Sequence, residues 1–387
     1  MPATLEQIIE RDAELHIELQ DEPPLDWSLF LKRALFVPNG NCDRFFAGKT
    51  VLITGAGGSI GSSLARMLVR GSAKRLVLLD HSRRKLLALR DLLQRYHYSA
   101  GPDPDAPDTL DVACIEGNIL DRALLEKTFS TYRPNIVFHA AALKHLAPLE
   151  LDPFAALETN VFGTAVVARA ADGWGTQQLV NVSTDKAVNP TSVLGVSKRI
   201  AELLLLAFRH SSCAAHSLRL GNVLGSSGSV VPIFLHALRR RLPLKVTQPQ
   251  ALRYFVTMEE AAGLLSQTLS IEQPSLLLPE MGSPKSIGDL ADFLGGRKAA
   301  APMMCIGLRD GEKHSEQLTY DFEYLRESVE PHIYEVCGNS VKSEDLAANL
   351  SRLKDAVTHR RSAEMMALLL AMVPEFTPSQ TLLRYRC

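Results

Sequence analysis

Asp185 and Lys186 stand side by side in the run NVSTDKAVNPTSVLGVSK, Asn181–Lys198, where an apolar strand pattern ends at Val182. A carboxyl group and an amine at the carboxyl end of a strand suit general acid and general base work, and Thr184 adds a hydroxyl beside them. Lys198 follows on a helical pattern that starts near Ser192. The plainer reading of Asp185–Lys186 is an ion-paired surface turn. A second motif, far upstream, favours chemistry. Thr54–Gly61, TGAGGSIG, closes the apolar run Thr50–Thr54 and opens a helical one, Ser59–Arg70. A further apolar run, Arg75–Asp80, then ends in an acid. Strand, glycine turn, helix, strand and acid in this order form a dinucleotide-binding fingerprint.

Within that loop Gly55 permits a sharp turn, Gly58 lets backbone approach a pyrophosphate, and Gly61 lets helix and strand pack closely. Gly57, Ser59 and Ile60 complete it, and the helix N-terminus offers N–H donors to phosphate. Asp80 sits where a carboxylate accepts hydrogen bonds from the adenosine ribose, which points to NAD. Ser82 lies just beyond, and Arg83 with Arg84 would instead suit the extra phosphate of NADP. Asn118 ends a third strand, where its amide can meet the adenine edge. Ala140, Ala141 and Ala142 follow a fourth, either to let backbone pass close to a cofactor or to pack helix on sheet.

The elements that must position these groups alternate. Strand patterns run Thr50–Thr54, Arg75–Asp80, Val112–Glu116, Ile136–His139, Gln178–Val182 and His216–Leu220, with helical patterns between them. Such alternation implies an α/β fold built on a doubly wound parallel sheet with right-handed crossovers. After Leu220 the rhythm breaks into loops, short helices and proline-rich turns. The expected organisation is an N-terminal arm (1–46), a nucleotide-binding domain (47–220), and a smaller substrate lobe with a helical tail (221–387). Within the arm, Trp27–Val37 reads as a packing arm or an oligomer contact, and Ser99–Thr109 as a loop. Net charge is −1 over 387 residues, which excludes a bulk nucleic-acid or anionic-membrane binder. The 6 cysteines are scattered without metal-ligand spacing, so no metal is expected and the thiols read as reduced. No signal peptide or integral membrane segment is visible, and the expectation is a cytoplasmic protein.

The runs TGAGGSIG, LLDHS, HAAALKHLAPLE, TNVFGT, STDKAVNPTSVLGVSKR, RLGNVLGSSGSVVPIF, RYFVTMEEAAGLL and GLRDGEK together resemble the CapD-type nucleotide-sugar 4,6-dehydratases of polysaccharide biosynthesis, which are extended short-chain dehydrogenase/reductases. The likeness extends from about Gly48 to Pro378. It implies a Rossmann domain holding NAD or NADP, with Asn160 and Lys198 on the cofactor side, and a C-terminal lobe for a UDP-sugar. On the sugar side it implies Lys144 and His145. For the diphosphate it implies Asn222 and the loop Ser226, Ser227, Gly228, Ser229 with Val230 after it. Arg253 and Arg309 would neutralise phosphate, and Glu312 would accept from the uridine ribose. Homo-oligomers are common in such enzymes, and UDP-N-acetylglucosamine is the substrate the resemblance implies.

In such a dehydratase hydride leaves sugar C4 for the cofactor, the C5 proton and the C6 hydroxyl are lost, and hydride returns to C6. The resemblance gives Asp185 the acid role at the C6 oxygen and Lys186 the base role at C5, for which the lysine pKa should be lowered. The tyrosine of the family's Y-x-x-x-K pair is replaced by Leu194, which cannot exchange a proton. One branch of the family carries methionine there, and leucine is closest to that branch, which generally retains configuration at C5. Two other readings stay open: epimerisation or oxidoreduction at C4 on the same scaffold, and an inactive NAD-binding regulatory protein.

Overall fold

The computed structural model describes residues 25–36, 44–99, 111–208, 211–296, 302–339 and 343–386. The acidic N-terminal stretch and nearly all of the Ser99–Thr109 loop lie outside these residues. Six strands, β1 (Thr50–Thr54), β2 (Arg75–Asp80), β3 (Val112–Glu116), β4 (Ile136–His139), β5 (Gln178–Thr184) and β6 (Ala214–Leu220), coincide with the six sequence patterns to within two residues. Short strands follow: β7 (Asn222–Val223), β8 (Leu244–Val246), β9 (Leu252–Arg253) and β10 (Phe255–Val256). Then come β11 (Ser275–Pro279), β12 (Lys285–Ser286), β13 (Met303–Cys305), β14 (Tyr324–Glu327) and β15 (Ile333–Cys337).

Nine of these form one sheet in the order β14-β15-β11-β6-β5-β4-β1-β2-β3. From β3 to β11 every neighbouring pair is parallel, and β15 and β14 add an antiparallel edge. Both faces of β1 are buried, which is why TVLIT reads as an unbroken apolar run rather than an alternating one. One face packs the helices Ser59–Leu68 and Met258–Gln267, through Leu64, Leu68, Leu264 and Leu265. The other packs Leu52, Val77 and Val137 against Leu125, Phe129 and Val167. The chain beyond Leu220 thus returns to the sheet three times, which its broken rhythm does not reveal.

Trp27–Leu31 forms a short helix whose Phe30 and Leu31 enter the core of the small lobe with Phe234, Phe255 and Leu290. Arg33 fastens it by an ion pair to Glu260 at 2.5 Å, so this segment packs on its own chain.

The order of the sheet reverses beside β1, which has β2 on one side and β4 on the other. The carboxyl ends of β1, β2, β4 and β5 therefore surround one crevice, the place where open α/β sheets bind ligands. His139, at the end of β4, is clamped there: Nδ1 lies 2.7 Å from Thr54 Oγ1 and Nε2 3.0 Å from Thr164 Oγ1. The Thr164 hydroxyl donates to Asn160 O, so it must accept from Nε2–H, and Nδ1 must accept from Thr54. The ring is neutral; burial, helped by Lys198, pulls its pKa down to about 3.

His216 on β6 is also buried, and burial lowers its pKa from 6.5 to about 4. An unfolded chain binds this proton below about pH 6.5 and the folded one does not. Stability is therefore undiminished above that value and falls as pH drops towards 4, by roughly 3 kcal/mol for His216 alone. Thermal melts should show a shallower acid slope in His216→Gln than in the parent. Parallel slopes would remove His216 as a cause of acid sensitivity.

Candidate active site

The glycine loop sits directly under the end of β4. Gly55 has φ +68°, and a Cβ there would lie 2.6 Å from the amide nitrogen of Ala141. At Gly61 a Cβ would meet the Gly55 carbonyl oxygen at 2.3 Å, so the Ser59–Leu68 helix closes on the turn only because no side chain intervenes. The backbone of Ala140 and Ala141 is therefore what the absent side chain of Gly55 makes room for. Asp80 is buried, and its two oxygens accept the amides of Gly57 and Ser82, each at 2.9 Å. Each oxygen keeps a lone pair, so the carboxylate can still receive a ribose hydroxyl. Arg83 is largely exposed and lies 4.0 Å from Glu116. Asn118 is exposed and its carbonyl oxygen accepts from Leu120 N in a local turn.

Asn160 occupies a π-helical turn, Glu158–Gly163, and exchanges hydrogen bonds with the Leu143 backbone at 2.9 and 3.1 Å. It also donates to Ser197 Oγ at 3.1 Å. Its amide therefore fixes the Ala140–Leu143 segment against the helix Val193–Leu206, which carries Lys198. Lys198 is buried and donates to Val182 O at 2.7 Å; burial, opposed by Glu202, brings its pKa down to about 8. Leu194, one turn earlier, is buried among apolar residues of the helical tail, including Met365 and Leu369.

At the end of β5 the chain turns through a short 3-10 helix, Asp185–Ala187, capped by Thr184. Asp185 is fully buried; one oxygen accepts from Thr184 Oγ1 at 3.0 Å and from Lys186 Nζ at 2.9 Å. Its other oxygen, Oδ2, is enclosed without a hydrogen-bond partner. Burial raises the Asp185 pKa, Lys186 opposes the rise and Glu316 adds to it. Lys186 Nζ also donates to Asn222 Oδ1 at 2.9 Å and lies 3.5 Å from Glu316 Oε1. The expected lowering of its pKa is not what the site produces. Burial works in that direction, but Asp185 and Glu316 outweigh it and the pKa is raised. With no ligand present, Lys186 is a cation.

The substrate-side candidates separate into two groups. Lys144 donates to Ser227 O at 2.5 Å, and Ser227 N donates to Ser59 Oγ at 2.9 Å. The Ser227–Ser59 bond ties the Ser226–Ser229 loop to the dinucleotide loop, and Lys144 bonds the first of them. Ser229 stands at the N-cap position of the helix Val230–Arg239, and its hydroxyl is enclosed without a hydrogen-bond partner. His145 caps the helix Leu146–Leu151.

Arg253, by contrast, is buried, and both its terminal nitrogens bond to protein. It donates to the carbonyls of Leu252, Lys313 and His314 and pairs with Glu312 at 3.0 Å. Glu312 also accepts from Thr247 and from Arg309 N. Arg253 and Glu312 thus brace the 309–314 segment, while the Arg309 side chain is exposed. Two site residues escaped sequence reading, Lys313 and Glu316, paired at 3.2 Å. Their only local signal is a lysine and a glutamate three apart in GEKHSE. Among the described residues no cluster could hold a metal ion, and no helix is long and apolar enough to cross a membrane.

The family described as polysaccharide biosynthesis protein matches residues 51–338. The probable polysaccharide biosynthesis protein EpsC of Bacillus subtilis is 36% identical, over 74% of this chain and 48% of its own length. CapD, a capsular polysaccharide biosynthesis protein of Staphylococcus aureus, is 33% identical over 75% of this chain and 48% of its own. The chain spans about half the length of these two relatives. A UDP-glucose 4-epimerase of Rickettsia bellii is 28% identical over 73% of this chain and 80% of its own. Among solved structures, Pen from Bacillus thuringiensis superposes with a TM-score of 0.67 at 26% identity, covering 77% of this chain and 92% of that one.

Proposed function

The chain belongs to the polysaccharide biosynthesis protein family, and from that premise we propose that it is an NAD-dependent nucleotide-sugar enzyme catalysing 4,6-dehydration of a UDP-N-acetylhexosamine, UDP-N-acetylglucosamine first. The observation that carries this reading is the Asp185–Lys186 pair, held by Asn222 and Glu316 at the mouth of the crevice. Epimerisation at C4 needs no group to take a C5 proton or to protonate a leaving C6 hydroxyl; elimination needs both.

Gly55, Gly58, Gly61 and Asp80 would hold the dinucleotide, whose chemistry when bound is to accept hydride from C4 and return it at C6. The residues move protons. With Leu194 inert, the C4 hydroxyl proton passes through the Thr184 hydroxyl to the Asp185 carboxylate, a route the 3.0 Å Thr184–Asp185 contact supports. Asp185 then gives that proton to the C6 oxygen as water leaves. Lys186, once neutral, takes the C5 proton and returns it to C5 after hydride arrives at C6. The sum is loss of one water with both residues regenerated. Lys198 holds the nicotinamide ribose, and the Ser226–Ser229 loop receives the diphosphate. The Asp80 carboxylate beside the glycine loop supports NAD, since it would accept from a ribose hydroxyl and repel the extra phosphate of NADP.

A C4 epimerase is the second reading, favoured by the Rickettsia relative. Proton NMR of the purified protein with UDP-N-acetylglucosamine separates them. A new C6-methyl doublet is the expected result. Loss of the starting anomer without a methyl signal would establish the epimerase. Unchanged substrate, despite bound nucleotide, would count against both.

A further inference from the structure

We propose that Glu316 and Lys313 form a charge couple that sets the protonation of Lys186, with Glu316 as the positioning residue for its amine. The inference rests on Lys186 being the base of the proposed reaction. Glu316 is buried, with Oε1 3.5 Å from Lys186 Nζ and Oε2 3.2 Å from Lys313 Nζ. Asp185, Lys186, Glu316 and Lys313 therefore alternate in sign along one chain of contacts.

The position of Glu316 is imposed by the fold. Segment 311–320 is laced to segment 187–191 at four places. Thr191 Oγ1 donates to Gly311 O at 2.8 Å, Lys313 Nζ to Val188 O at 2.6 Å, Asn189 to Gln317 Oε1 at 2.7 Å, and Tyr320 OH to Ala187 O at 2.7 Å. No other carboxylate from outside the 3-10 turn is paired with the Lys186 amine among the described residues. The charged and titratable groups acting on Lys186 are Asp185, Glu316, Lys313 and Arg253. Those acting on Glu316 are Lys186, Lys313, Arg253 and Asp185.

Two opposite consequences follow from Coulomb's law in a buried site. Removing the Glu316 charge takes an anion from the Lys186 ammonium and makes it easier to deprotonate. Removing the Lys313 charge takes away a cation and makes it harder. Neither direction follows if Glu316 merely packs.

The test titrates Lys186 itself, by NMR of protein carrying isotope-labelled lysine Cε, with Lys186→Arg to assign the signal. Glu316→Gln should lower the midpoint by about one pH unit or more, Lys313→Met should raise it, and Glu316→Asp should return it towards the parent value. The alkaline-rising limb of kcat/KM for methyl formation should move in the same directions. An unmoved Lys186 titration in Glu316→Gln overturns the couple. A parent protein that forms no methyl product overturns the dehydratase reading instead, and the lysine titration still decides the couple.

Discussion

Lys186→Ala should lower kcat for dehydration by about a thousandfold or more while leaving NAD affinity unchanged. The amine is the only group of the Asp185–Lys186 pair able to act as a base once neutral at C5, and its loss leaves no substitute. In the proposed reaction Asp185, which is buried, carries the proton destined for C6, and the buried Glu316 has one oxygen on Lys313. The effect should fall on kcat, because the lost interaction is made with a proton in flight rather than with the bound sugar. NAD affinity should hold because the glycine loop and Asp80 make no contact with this lysine among the described interactions. The parent should also gain kcat/KM as pH rises, since Lys186 must first lose the proton that Asp185 and Glu316 stabilise. Methyl formation by NMR and NAD titration of the same sample check both halves. Substantial dehydration by the alanine variant would sink the assignment.

Arg219→Met should cost about 3–5 kcal/mol of stability and lower Tm by roughly 5 °C. Arg219 is wholly inaccessible to solvent, and its guanidinium forks onto two carboxylates. It meets Glu202 at 2.9 and 3.0 Å and Glu323 at 2.6 and 2.9 Å, with a fifth bond to Leu318 O at 3.1 Å. Arg199 shares both carboxylates, so two buried cations balance two buried anions. Methionine fills comparable space but strands one negative charge, and stranding rather than loss of attraction is what makes such changes severe. Burial alone would raise the Glu202 pKa; Arg219 and then Arg199 reverse that and hold it low. The double variant Arg219→Met/Glu202→Gln, which removes the stranded charge, should recover part of the loss in urea unfolding. A single-variant cost below about 1 kcal/mol would show that the network is not sustained in solution. Activity should fall too, because Ser183, one residue before Thr184, donates to Glu202 at 2.6 Å and Tyr320 lies between both arginines and the catalytic turn.

What the residues alone determined is local. β1, β2 and β4 fall on the patterns read from the sequence because a strand buried on both faces must be apolar throughout, and the turns between need glycine or a cap. The dinucleotide loop was legible because its glycines, its helix and its acid lie within one stretch of chain; Gly61 answers a contact with Gly55 six residues away, whereas Gly55 answers Ala141, far along the chain. Asp185 and Lys186 were legible as a pair because they are neighbours. Their electrostatics were not. The low pKa expected for Lys186 is reversed by Asp185 and by Glu316, which tertiary packing brings beside the amine from far along the chain.

Arg253 shows the same limit. Its type suits phosphate, and only the fold shows that it also braces a loop some sixty positions later in the chain, through the Lys313 and His314 carbonyls and the Glu312 carboxylate. β11, β14 and β15 escaped notice because strands separated by helices, short hairpins and loops carry no common rhythm; only the open edge beside β6 selects them. Sequence determines what each segment can be, since propensity and pattern act over a few residues. Which charges share a buried site is decided by tertiary packing, because a Coulomb interaction depends on distance in space and on the water excluded from it.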